Sequence, residues 1–249
     1  MRKPLIVANW KMHKTVSETT SFIKEIGGNW SDFLVRADIV LCPPFTSLFA
    51  AYRATQGKGV LLGAQNVYFE EKGAFTGEIS PDMVKETASY VIIGHSERRR
   101  LFDESDEVIN RKVKAALAAG LNVILCVGED LGVNSKDSAT IFVGQQVQKA
   151  LEGITNIRML NIAYEPIWAI GSGQACHPHQ AQEMAKSIRL SLTKNYAKEA
   201  KEIRILYGGS VNSANITTYV GQADIDGVLV GGASLSSTGF SELLRAALS

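Results

Sequence analysis

Residues 160–168 read Leu160-Asn161-Ile162-Ala163-Tyr164-Glu165-Pro166-Ile167-Trp168. The first five are apolar at almost every position, not alternating apolar and polar. That is the pattern of a strand covered on both faces, as in a parallel sheet. A carboxylate, Glu165, closes the run, and Pro166 fixes φ directly behind it. Ile167 and Trp168 then form an apolar tip ahead of Gly171-Ser172-Gly173. A solvated loop would be polar, so this tip needs something to cover. The segment predicts a base held at a strand end beneath a flap from Pro166 to Gly173.

The same unbroken apolar pattern recurs along the whole chain. It predicts strands at 5–9, 37–42, 60–64, 90–94, 122–127, 160–165, 203–208 and 227–231. Helical patterns lie between them. Ser80-Pro81 supplies a cap followed by proline at the first helical position. Ser105-Asp106-Glu107 opens a helix with acidic residues at the positive end of its dipole, and Gly120 ends it. Pro178 to Ala200 reads as the longest helix, with Met184, Ile188 and Leu192 on one face. A last amphipathic helix spans 240–248. No linker, low-complexity tract or charge block interrupts the alternation. The chain is therefore expected to be a single domain, residues 1–249, folded as a closed eight-stranded parallel (β/α)8 barrel. An open dinucleotide-binding sheet would carry a glycine-rich turn after its first strand. This chain has Asn9-Trp10-Lys11-Met12 there instead.

Composition limits the partners. The chain has 249 residues, 45% hydrophobic and 20% charged, with a net charge of +1. So near-neutral a chain has no electrostatic case for binding nucleic acid or an anionic membrane, and any anion must be held locally. Its three cysteines, Cys42, Cys126 and Cys176, are odd in number and contain no paired spacing. That fits a reducing compartment. With no signal-like or membrane-spanning run, the expectation is a soluble cytoplasmic protein. Cys176-His177-Pro178-His179 lacks the second ligand cluster of a structural zinc site, and His177 reads as the cap before Pro178.

In a barrel of this kind the C-terminal strand ends share one rim, where chemistry collects. The first strand delivers Asn9 and Lys11 there. The fourth delivers His95-Ser96-Glu97, the sixth Glu165, the seventh Gly208-Gly209-Ser210 and the eighth Gly231-Gly232. Glycine pairs after the last two strands let backbone N–H groups approach an anion, which predicts phosphate binding. His95 stands before an apparent helix start, where the dipole favours a neutral imidazole. Lys11 would draw a phosphorylated substrate into the rim.

Five stretches together resemble the triosephosphate isomerase family, in order and over the full length of the chain. They are Asn9-Trp10-Lys11-Met12, Gly94 to Arg99, Ala163 to Gly171, Tyr207-Gly208-Gly209-Ser210-Val211 and Gly231-Gly232-Ala233-Ser234-Leu235. The resemblance implies a TIM barrel that interconverts dihydroxyacetone phosphate and glyceraldehyde 3-phosphate, in glycolysis and gluconeogenesis, without cofactor or metal. It implies Glu165 as the base, a neutral His95 shuttling protons between the substrate oxygens, and Lys11 and Asn9 steadying the enediolate. Gly171, Ser210, Gly231 and Gly232 would bind phosphate. Glu97 would support Lys11, and Cys126 would pack near Glu165. The lid would comprise Pro166, Ile167, Trp168, Ser172 and Gly173. The family is commonly a homodimer, and Gly73 to Glu78 resembles its interdigitating loop, with Thr76 reaching the neighbouring site. An ion pair between Arg99 and Asp226 is also implied. Ser172, His13 and His177 depart from the family's common residues, and His177 would be a weaker helix cap. On the residues alone, another phosphate-binding barrel enzyme, such as a phosphoribosyl isomerase or an indole glycerol phosphate synthase, stays open. So does a non-catalytic barrel scaffold.

Overall fold

The computed structural model describes residues 2–26, 30–130, 132, 136–169 and 175–249. The elements run β1 (Leu5–Asn9), α1 (Val16–Ile26), α2 (Ser31–Arg36), β2 (Asp38–Cys42), α3 (Phe45–Thr55), β3 (Leu61–Ala64), α4 (Pro81–Lys85), β4 (Tyr90–Ile93), α5 (Ser96–Leu101), α6 (Asp106–Ala118), β5 (Asn122–Val127), α7 (Lys136–Ala150), β6 (Leu160–Tyr164), α8 (Pro178–Thr193), β7 (Arg204–Tyr207), α9 (Ile216–Val220), β8 (Gly227–Val230) and α10 (Ser237–Ala247). The strands pair in sequence order, all parallel, and β8 returns to β1 to close the barrel. Every strand lies within one residue of its expected bounds at each end.

Two apolar layers explain the unbroken hydrophobic strands. Leu5, Val7, Val40, Cys42, Ile92, Ile124, Cys126, Ala163, Leu206 and Leu229 fill the barrel interior. The alternate residues, such as Ile6, Ala8, Ile39, Val91, Val123 and Ile162, pack outward against the helices. Each valine, leucine or isoleucine among them contributes about 1.5–3 kcal/mol when fully buried. Inward-pointing residues recur every second position. Continuing that parity past the interior layer brings Asn9 after Val7, Glu165 after Ala163, Gly208 after Leu206 and Gly231 after Leu229 to one mouth.

The helix caps follow the sequence. Ser80 accepts from Met83 N–H and Ser105 from Val108 N–H. α8 stops at Thr193, short of the expected Ala200. There Tyr196 turns its hydroxyl to the Ile154 carbonyl at 2.6 Å, and the chain swings back towards β7. The N-terminal mouth is closed by Arg204, which donates to Asp38, Asn161 and Tyr90. The implied Arg99–Asp226 pair does not form. Arg99 follows β4 at the C-terminal mouth and bonds Asp106 at 2.8 Å. Asp226 precedes β8 at the opposite end and bonds Arg2 and Arg189 at 2.6 and 2.8 Å.

Candidate active site

Strand parity alone would not bring His95 into the mouth. Gly94 does this by adopting φ +75°, a left-handed conformation that breaks β4 and redirects the chain into α5. His95 is thereby the N-cap of that helix. Its Nδ1 accepts the Glu97 N–H at 3.2 Å, so that nitrogen carries no proton. The remaining ring proton belongs on Nε2, which lies 3.1 Å from Glu165 Oε1. The ring thus turns Nε2 to the cavity.

Glu165 is only 2% exposed. Its Oε2 accepts the Ser96 N–H at 2.9 Å, so the carboxylate rests against the start of α5. Cys126 is wholly buried below it. Burial first, and then the Glu165 charge, push the Cys126 thiol well above its ordinary range. It is a packing residue there, not a nucleophile.

Lys11 has φ +50°, strained for a lysine, and three bonds hold it. Its N–H donates to Asn9 Oδ1 at 3.0 Å, and its carbonyl accepts from Gln65 Nε2 at 2.9 Å. Its Nζ donates to Glu97 Oε1 at 2.5 Å. Burial would raise the Glu97 carboxyl, but the Lys11 bond and surrounding positive charge hold it below the usual range. Gln65 was not anticipated from the sequence. It directly follows β3, so the rim rule applied to β1 and β4 reaches it too.

The apolar tip is covered rather than exposed. Ile167 lines the cavity, and half-buried Trp168 packs against the outer core. Trp168 Nε1 donates to Glu129 Oε1 at 3.0 Å, and Tyr164 Oη donates to the same oxygen at 2.9 Å. Burial pushes the Glu129 carboxyl above the ordinary carboxylate range despite both bonds. Glu129, two residues beyond β5, is a second rim residue that the sequence reading passed over. Pro166 is buried beside Glu165. Gly171, Ser172 and Gly173 lie outside the described residues.

Asn9, Lys11, His95, Glu97, Glu165, Ser210, Gly231 and Gly232 all line one cavity of about 560 Å³. Carboxylate, imidazole, ammonium and the glycine turns after β7 and β8 all face it, with Lys11 beside Gly231 and Glu165 beside Gly208. Ser210 Oγ donates to the Ala169 carbonyl at 2.7 Å, which ties the β7 turn to the segment after Glu165. Thr76 is not part of this cavity. It is exposed on a loop whose aromatics pack on one another, Tyr68 on Phe69 at 4.1 Å and Tyr68 on Phe75 at 4.9 Å between ring centroids. His177 caps α8 after all, its Nδ1 accepting the His179 N–H at 3.3 Å.

The chain is similar to known proteins over nearly its whole length. The family model for triosephosphate isomerase matches residues 4–247. A triosephosphate isomerase of Endomicrobium trichonymphae is 47% identical over 248 residues, covering 98% of this chain and 99% of that protein. One from Carboxydothermus hydrogenoformans is 46% identical over the whole of both chains. One from Dictyoglomus thermophilum is 47% identical, covering 98% of this chain and 100% of its own.

Proposed function

The chain belongs to the triosephosphate isomerase family, and on that footing we propose that Glu165, His95, Lys11 and Asn9 carry the reaction inside the 560 Å³ cavity. The reaction interconverts dihydroxyacetone phosphate and D-glyceraldehyde 3-phosphate. A proton must leave the carbon beside a carbonyl, which requires a base at that carbon and donors at the oxygens where negative charge gathers. Glu165 is the base. His95 Nε2–H faces the carbonyl oxygen and passes protons between the two substrate oxygens. Lys11 and Asn9 stabilise the enediolate, with Glu97 holding the ammonium in place. The observation that carries this reading is the 3.1 Å approach of His95 Nε2 to Glu165 Oε1 in a cavity that also holds Lys11. The carboxylate rests on the very donors, His95 Nε2–H and Ser96 N–H, that a substrate would claim. Binding therefore frees Glu165 to turn towards the carbon.

The phosphate is held by backbone N–H groups at Ser210, Gly231 and Gly232, with Gly171 added on sequence alone. The segment from Pro166 through Trp168 to Ser172 and Gly173 excludes water, which prevents the enediolate from eliminating phosphate. Ile167 on the cavity wall supports that role.

The working form is a homodimer in the cytoplasm. A second cavity of about 390 Å³ adjoins the first and is lined by Lys11, Met12, His95, Glu97 and Phe102. Met12 is 94% exposed and Phe102 62%, an apolar rim that a second copy would cover, with Thr76 entering beside Asn9 and His95. Three buried free cysteines suit a reducing compartment. Among the described residues no helix is long and apolar enough to cross a membrane.

Coupled turnover of glyceraldehyde 3-phosphate by Glu165→Asp tests the site. Withdrawing the base by one methylene should cost ~10²-fold in kcat. Wild-type rates in that variant would remove Glu165 from its role. Light scattering on the intact chain should give twice the monomer mass.

A further inference from the structure

Three consecutive arginines, Arg98, Arg99 and Arg100, lie in the last turn of α5. Two of them are engaged by carboxylates. Arg98 Nε donates to Glu104 at 2.5 Å, and Arg99 Nη1 donates to Asp106 at 2.8 Å. Arg100 is exposed, and among the described residues its guanidinium has no hydrogen-bond or ion-pair partner. Helical spacing decides where it lies. Residues three and four apart share a face, so Arg100 follows Ser96 and Glu97. Both of those line the 560 Å³ cavity, and Arg100 lines it with them. It does not line the adjoining cavity that a second copy would cover.

The charged side chains lining the 560 Å³ cavity, among the described residues, are Lys11, Arg100, Glu97 and Glu165. Lys11 was expected to draw in the anion, but its Nζ lies 2.5 Å from Glu97 Oε1. From a distance that pair acts as a dipole, not as a cation. What remains is one carboxylate, Glu165, and one uncommitted cation, Arg100. Burial raises the Glu97 carboxyl and Arg100 is among the charges that lower it, so the field of the guanidinium reaches the cavity wall. A phosphate monoester carries a charge of about −1.5 to −2 at neutral pH. Without Arg100 it would approach a cavity of net negative charge and be repelled.

We propose that Arg100 is the cation that draws the triose phosphate into the cavity, and so sets the preference for a phosphorylated over an uncharged triose. The inference rests on the reading of this cavity as the triose phosphate site. Arg100→Gln removes charge from an exposed side chain, so the chain should fold. At low ionic strength kcat/KM for glyceraldehyde 3-phosphate should fall roughly three- to tenfold through KM, with kcat within about twofold. Arg100→Lys should keep most of the wild-type value, because charge and not fork geometry is at work. At ~0.5 M salt the screening length shrinks to about 4 Å, and wild type and Arg100→Gln should converge. Turnover of D-glyceraldehyde, which lacks the phosphate, should be equal in all three proteins. An unchanged kcat/KM for Arg100→Gln at low salt would overturn the proposal. So would a loss that persists in high salt or falls equally on D-glyceraldehyde, since either marks a structural effect. A wild type that leaves glyceraldehyde 3-phosphate unconverted would instead refute the reading of the cavity.

Discussion

Lys11 Nζ and Glu97 Oε1 lie 2.5 Å apart at the boundary between the two cavities, so the ammonium that lines both is aimed by a carboxylate from another barrel unit. Replacing Glu97 by Gln removes the charge while keeping an oxygen. The ammonium would then wander, and kcat/KM should fall ~10- to 100-fold, the scale of a misplaced reacting group. Steady-state kinetics decide it. Unaltered constants would mean that Gln65 and Asn9 alone fix Lys11.

Acid should expose the same pair. The folded carboxyl of Glu97 lies below its ordinary value of 4.5, so the charged form is favoured in the folded chain. The stabilisation it brings is present above that value and disappears as pH falls through the lowered one. Activity losses above pH 4.5 therefore belong to other groups, and Glu97→Gln should leave that limb of the pH profile unshifted.

Glu129 behaves with the opposite sign. Its folded carboxyl is raised by burial, so its contribution is full below 4.5 and is lost as pH rises through the raised value. Glu129→Gln keeps an oxygen for Tyr164 and Trp168 without the buried charge. The melting temperature of the variant relative to wild type should therefore climb between acid and neutral pH. A flat difference across that range would refute the assignment.

Lys112 is 3% exposed and donates to Glu104 Oε1 at 2.6 Å, an oxygen that Arg98 also reaches. Glu104 Oε2 has no partner among the described residues. Lys112→Met would leave this carboxylate half-compensated and should cost about 3–5 kcal/mol in urea unfolding. Adding Glu104→Leu should recover much of that loss.

At the other mouth, Arg204→Met removes the bonds to Asp38, Asn161 and Tyr90 far from the cavity. Thermal stability should drop while kcat and KM hold, since that end of such a barrel serves stability. Burial would raise the Asp38 carboxyl, but Lys3 and Arg204 hold it below 3.8. The stability gap between the two proteins should shrink as pH falls through that lowered value. A changed KM would show that the two ends communicate.

Strands buried on both faces were legible because both layers demand apolar residues, and parity then places Asn9 and Glu165. His95 was legible from its motif, although the Gly94 turn that redirects it needed coordinates. Gln65 and Glu129 also follow strand ends at this rim, but no glycine pair, histidine or closing carboxylate of the strand itself marks them in the sequence. The Arg99–Asp226 expectation failed because Arg99 follows a strand and Asp226 precedes one, which puts them at opposite ends of the barrel. The end of α8 was overestimated because its helical periodicity outlasts the point where Tyr196 anchors the turn.

The nitrogen that caps helix α5 belongs to the same ring that faces the cavity. Building that helix and choosing which side of the imidazole bears hydrogen are therefore a single event. A substitution that loosens the first turn of α5 from outside the cavity would let the ring settle with its hydrogen on the wrong side, so a local unfolding defect would present itself at the bench as a chemical one.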